Sequence, residues 1–300
     1  MLPIAAAVQV DPLQIAPAIG FGVLYFIRAR RLAAQGRPVP GWRLWCWYGG
    51  LALIVVALTS PLGSLADELF WAHMAEHLLI ADIGALLLVL GLTGPLLAPL
   101  LRAPGLGWLR ALAHPVPAFS LWVVDLLFWH LAGPHEAAVR SDAVHAIQHM
   151  LFVGLGINVW MALLGPLPKP RWFGNAAKLG YIVAVRLTTT VLANIFVWTD
   201  KAFFGVYASG ERAHGISPQS DQVVAGSIMM VEGSILTLCL FCWLFLRSAR
   251  EGQERQELLE LAAASGVALD ERRAARAVAA GRGAELRQRL EDEGPSGASG

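Results

Sequence analysis

Charge is what this 300-residue chain has least of. Asp, Glu, Lys and Arg make up 15% of it, against about 25% in an ordinary soluble domain. That shortfall excludes a water-solvated globular fold. The formal net charge of +1 carries no signal for nucleic acid, because it is the distribution of charge that matters, and no nucleic-acid partner is expected. Cysteine is nearly absent too. Cys46, Cys239 and Cys242 cannot make a disulfide framework. The opening MLPIAAAVQVDPLQ has no basic segment and no convincing cleavage site before the first apolar run, so it is read as mature protein.

What the chain has instead is long apolar runs. Hydrophobic residues are 56% of the total, and they come in blocks of roughly 18 or more, the length that spans a bilayer. Seven blocks are expected as transmembrane helices: about 13–30, 44–62, 69–93, 115–133, 143–164, 179–199 and 222–246. Pro and Gly clusters such as GRPVPG, TGPLLAP and GPLPKP separate them. The expected fold class is therefore all-α, a seven-helix membrane domain over 1–246. A charged helical tail follows over 247–300, broken at Ser265-Gly266, ended by Gly281 and disordered in its last residues.

The few basic residues orient it. Arg28, Arg30, Arg31, Arg37 and Arg43 fall between blocks one and two. Arg102 and Arg110 follow block three, and Lys169, Arg171 and Lys178 follow block five. The tail carries nine Arg, whereas the other connections hold only Arg140, Lys201 and Arg212. The positive-inside rule then expects the N-terminus outside and the C-terminus in the cytoplasm. A bacterial inner (plasma) membrane and its lipid bilayer are the expected setting.

Histidine is expensive inside a membrane, yet two blocks open with a pair. HMAEH presents His73 and His77, and HAIQH presents His145 and His149. Residues four apart share one helix face, so each pair aims two imidazoles the same way. On the expected topology both pairs lie at the outer ends of their helices, and His130 ends block four on that side. His135 follows in a short outer connection, and His214 lies in a longer one.

Imidazole suits copper, zinc and iron, and thioethers lean towards Cu(I). Met74 and Met150 adjoin the pairs but point off the shared face. A single interfacial His is ordinarily a hydrogen-bonded or headgroup-facing residue. Two pairs plus His130 on one side read instead as a metal or haem site.

Other polar residues sit within the blocks. Asp82, Asp125, Arg186 and Glu232 are expected to pair, because an unpaired charge there costs at least about 2.5–3.5 kcal/mol. Arg186 is the one cation available to those carboxylates. Cys239 and Cys242 form a C-x-x-C read mainly as small buried residues, with metal exit as the alternative. HMAEH also fits the H-x-x-E-H peptidase pattern, with Glu76 as base. HAIQH puts Gln148 where that acid would stand, and a duplicate pair has no role in a peptidase.

Taken in order, HMAEHLL, FWHLAG, HAIQHMLF and SPQSDQVVAG leading into a Met-containing last block resemble the polytopic CtaG family of cytochrome c oxidase assembly factors. The resemblance covers roughly residues 13–246 and leaves out the tail. It implies a part in maturing haem–copper oxidases, with the oxidase large subunit as partner, a periplasmic copper donor as a further one, and no catalytic turnover. The matching positions are His73, His77, His130, His145, His149, Asp221 and Gln222. The expectation is copper, as Cu(I), on His73, His77, His145 and His149, with His130 accessory. Glu76 and Asp221 with Gln222 would support the ligands or stand at an entrance. Haem b on facing imidazoles, with Gly84, Gly154 and Gly156 making room, is the alternative cofactor. A copper permease is the third reading.

Overall fold

The computed structural model describes residues 12–106, 114–279 and 281–293. Arg110, most of the opening segment and the closing GPSGASG, each given a reading above, lie outside the described residues. Every regular element among those described is helical. Among the described residues five helices are long and apolar enough to cross a membrane, or six if one bent pair is a single span. The chain is a polytopic, membrane-embedded protein.

Helix α1 spans Pro12–Ala34 and α2 spans Gly41–Thr59. A short α3, Pro61–Ala66, starts at Ser60, whose hydroxyl accepts from the Leu62 N–H at 3.3 Å. Block three is not one regular helix. It is α4, Phe70–His77, then a seven-residue π-helix, Leu78–Gly84, then α5, Ala85–Gly91. Such wide turns are rare and tend to sit at functional sites. Helix α6, Gly94–Arg102, follows.

The ends of α5 and α6 show why the first arginines lie where they do. Arg43 donates to the Leu90 and Leu92 carbonyls at 2.9 and 2.6 Å, and Arg28 donates to Pro95 at 2.9 Å. The Tyr25 hydroxyl donates to Gly91 at 2.9 Å. The Leu90, Gly91 and Leu92 carbonyls are orphaned where α5 stops, and the Pro95 carbonyl lacks a helical donor because Pro99, four residues on, has no N–H. These arginines therefore satisfy stranded carbonyls as well as weighting one side with charge.

Helix α7, Pro115–Trp129, and α8, Ala132–Arg140, meet at a 73° bend. Helix α9 is Asp142–Leu163 and α10 is Asn175–Trp198. A 3-10 turn, Gly205–Tyr207, and α11, Ala208–His214, fill the connection to α12, Pro218–Ala264. Two short helices close the described chain, α13 (Glu271–Ala279) and α14 (Gly283–Glu293).

The seventh block was expected to end near 246. The helix instead continues to Ala264, because REGQERQELLELAAA is rich in strong helix formers and holds no proline. It ends at Ser265-Gly266, where Gly266 takes φ +69°.

The chain divides into two compact units at Ile235/Leu236. In the second, Leu258 and Ala262 of α12 pack with Val278 of α13 and Leu286 and Leu290 of α14. Arg287 pairs with Glu257 at 2.6 Å across that small core.

The first unit carries polar groups within and apolar groups without. Val124, Leu187, Val231 and Ile235 are exposed, while His73, Glu76, Gln148, Asp221 and Gln222 are 0–2% exposed. Lipid is the solvent in which that inversion is stable. Arg186 donates to the Met230 carbonyl at 2.8 Å and the Ser234 hydroxyl at 2.7 Å. Glu232, one of the expected acids, acts on it electrostatically without a direct ion pair among the described residues, so carbonyl dipoles of α12 share the guanidinium with that acid.

Candidate metal centre

The two His pairs face each other. Helix α9 lies against the π-helix and α5 through Gly156, where an added Cβ would run into the Ala81 carbonyl. That close approach brings the N-terminal turns of α4 and α9 together. Ring centroids of His73 and His77 are 4.2 Å apart, and those of His145 and His149 are 4.1 Å apart. Across the helices, His73 stacks on His145 at 5.1 Å with 11° between planes, and His77 lies 5.2 Å from His149.

The hydrogen bonds say which nitrogens are available. His73 Nδ1 sits 3.3 Å from the Ala66 carbonyl, so it carries the proton and leaves the Nε2 lone pair free. His73 Nε2, both nitrogens of His77, and Nε2 of His145 and of His149 are buried without a hydrogen-bond partner. Buried polar atoms are rarely left so, and such a concentration fits a bound cation.

Two sets of three ligand atoms close to within 4.8 Å: His73, His77 and His145, and Glu76, His145 and His149. Glu76 Oε2 lies 3.6 Å from His149 Nε2. The imidazole donors fit a transition-metal ion, copper, zinc or iron among them. They fit haem b less well. Gly84 and Gly156, expected to open a slot, abut Ile54 and Ala81, and Gly154 faces open space.

Four expected residues come together here, and Glu76 joins them. His130 does not join either set. The bend after Trp129 carries it aside, where its ring lies 6.2 Å from Phe152 and 5.8 Å from Phe196. Its Nδ1 donates to the Leu126 carbonyl at 2.7 Å.

The additional imidazole beside the cluster is His135, buried and 4.8 Å from His73. Its Nε2 meets the Tyr207 hydroxyl at 2.8 Å. Burial first, and then nearby carboxylates led by Asp221, push Tyr207 well above its ordinary pKa. Either group can supply the proton of that bond, according to the tautomer of His135. The sequence signal for His135 is only its place between two His-bearing helices.

Asp221 is buried and caps α4 from across the fold. Its two oxygens accept from the Phe70 and Trp71 N–H groups, each at 2.8 Å. It positions the helix that carries His73 and His77 and does not stand at an opening. Gln222 accepts from the Phe203 N–H at 2.9 Å and donates to the Phe196 and Lys201 carbonyls at 3.2 Å, holding the connection after α10. Met74 is buried in the core, whereas Met150 is 66% exposed and faces outward.

On the less buried side, Asp67 lies 4.0 Å from His145 Nδ1. Burial first, and then Glu76, Asp142 and Glu68, raise Asp67 to about 6. Next to it, His214 meets Glu68 at 2.7 Å. Gly210 packs onto the Glu68 carbonyl so tightly that a Cβ would collide with it.

Residues 23–251 match the family of cytochrome c oxidase caa3 assembly factors. An uncharacterized protein of Mycobacterium leprae is 31% identical over 196 residues, which is 58% of this chain and 29% of that protein. Uncharacterized proteins of Mycobacterium bovis and Mycobacterium tuberculosis are each 29% identical over 186 residues, 56% of this chain and 27% of theirs. The chain thus spans less than a third of the length of these curated relatives. No solved structure matches it.

Proposed function

We propose that this chain, which belongs to the cytochrome c oxidase caa3 assembly factor family, holds a copper ion on its paired histidines and passes it to the large subunit of a haem–copper oxidase. The observation that carries the reading is the convergence of unpartnered imidazole nitrogens from α4 and α9. Leaving such a group buried and unpaired costs about 1–3 kcal/mol, and a soft cation shared among them removes that cost.

His73, His77, His145 and His149 are the ligands, with Glu76 beside them. His130, outside both sets, is not. The ion is cargo, so the protein delivers and does not catalyse. Cu(I) is the form proposed for the cargo.

Seven crossings, with the N-terminus outside and the C-terminus in the cytoplasm, put this end of the bundle in the outer leaflet of a bacterial plasma membrane. There a periplasmic donor can load it and an oxidase subunit can receive from it through lipid-facing contacts. The membrane domain would be 1–246, with 247–300 as its cytoplasmic extension.

The test replaces His73 and His145 by Ala, which breaks both ligand sets, in cells that make the oxidase. Oxidase copper content should fall while the variant remains in the membrane. Normal copper content in that variant overturns the reading.

A further inference from the structure

We propose that one copper ion occupies either of two stations that share His145, and that it crosses between them without leaving the protein. This rests on the copper reading above. The two ligand sets overlap in one residue only. No set of four closes within the same distance among the described residues. The geometry therefore offers two three-ligand sites and not one four-histidine cage.

The stations differ in kind. His73, His77 and His145 offer nitrogen alone, and His73 and His77 are 0% and 5% exposed. Glu76, His145 and His149 include an oxygen. Of the two residues not shared, the His149 side chain is 11% exposed and that of Glu76 is 3% exposed. The half-exposed Asp67 borders His145 on that side.

A carboxylate draws in an arriving cation by Coulomb attraction, which strengthens as water is excluded. Two cations held at once would both lean on one imidazole and repel at short range. The stations are thus alternatives, the Glu76 station receiving and the His73/His77 station holding.

The crossing balances simply. The bond from copper to His145 nitrogen persists. The bonds to Glu76 oxygen and His149 nitrogen break as bonds to His73 Nε2 and a His77 nitrogen form. No electron moves, and the ion keeps its charge throughout. One retained ligand makes the exchange stepwise.

The experiment uses the purified full chain in detergent, titrated with Cu(I) buffered by a chromophoric chelator. The wild type should bind one copper. His73→Ala, Glu76→Gln and His149→Ala each leave one station whole and should lose less than about 10-fold in affinity, the low end of what even a supporting group costs. His145→Ala breaks both stations and should lose more than about 100-fold, beyond the top of that range. Glu76→Gln/His73→Ala spares His145 but also breaks both stations, and should match it. That double variant answers the question if His145→Ala fails to fold, which gel filtration and helical content will show.

Two coppers per wild-type chain, or His145→Ala no weaker than the single variants, overturns the shared station while leaving copper handling intact. No copper on the wild type overturns the copper reading itself, and the stations with it.

Discussion

Asp221 does for α4 what a capping residue usually does from the adjacent position, but across 151 residues of chain. Both oxygens are spent on backbone N–H groups, and the negative charge favours the positive end of the helix. Asp221→Ala should therefore cost about 1–3 kcal/mol and loosen the turn that carries His73. Thermal unfolding should fall, and Cu(I) affinity should fall with it. Unchanged affinity would mean that the turn holds without its cap.

Lys169 supplies a pH dependence remote from the histidines. It donates to the Met161 carbonyl, and burial first, then Lys178, lowers it from 10.5 to about 8. A depressed lysine pKa means the folded chain binds fewer protons than the unfolded one between about pH 8 and 10.5. Stability should then rise with pH across that window. Lys169→Met should abolish the rise, as thermal unfolding at stepped pH will report; a rise that survives rules out Lys169 as its source.

At the scale of the element, the contact of α9 with the π-helix decides whether two histidine pairs make one centre. Gly156 has no room for a side chain, and Gly154, one turn-fraction away, has nothing near it. Gly156→Leu should push α9 off Ala81, part the pairs and abolish copper binding, with a lower unfolding temperature. Gly154→Ala should be neutral or stabilising by up to about 1 kcal/mol, since alanine favours helix. Equal effects from the two would show that the helices are not in register as described. The π-helix is an element the residues do not announce. LLIADIG reads as ordinary apolar helix, and the widened turn is a response to packing against α2 and α9.

At the scale of the whole molecule, the placement of charge bears on orientation. Arg and Lys cluster in alternate connections, and the positive-inside rule turns that into a topology. With Cys46, Cys239 and Cys242 replaced by serine, a single cysteine at Arg212 should react with a membrane-impermeant thiol reagent from outside intact spheroplasts. One at Arg272 should react only after lysis. The reverse pattern would invert the proposed topology and put the histidines at the cytoplasmic face.

Much of the fold was legible because its cause is local. A run of apolar residues long enough to span a bilayer declares itself without any partner. Residues four apart on a helix share a face whatever surrounds them, so the pairing of His73 with His77 and of His145 with His149 follows from the chain alone. The family resemblance, resting on those same motifs in order, held over residues 23–251.

What tertiary structure decided is everything that depends on distant segments meeting. It chose His135 over His130 as the neighbour of His73, because a 73° bend re-aims the chain after Trp129. It made Asp221, expected to support the ligands or to stand at an entrance, a cap on the helix that bears two of them, and it gave Arg186 carbonyls beside an acid. It divided the histidines into two sets meeting at His145. None of these has a periodic signature, since each is set by the packing of helices that the chain order keeps far apart.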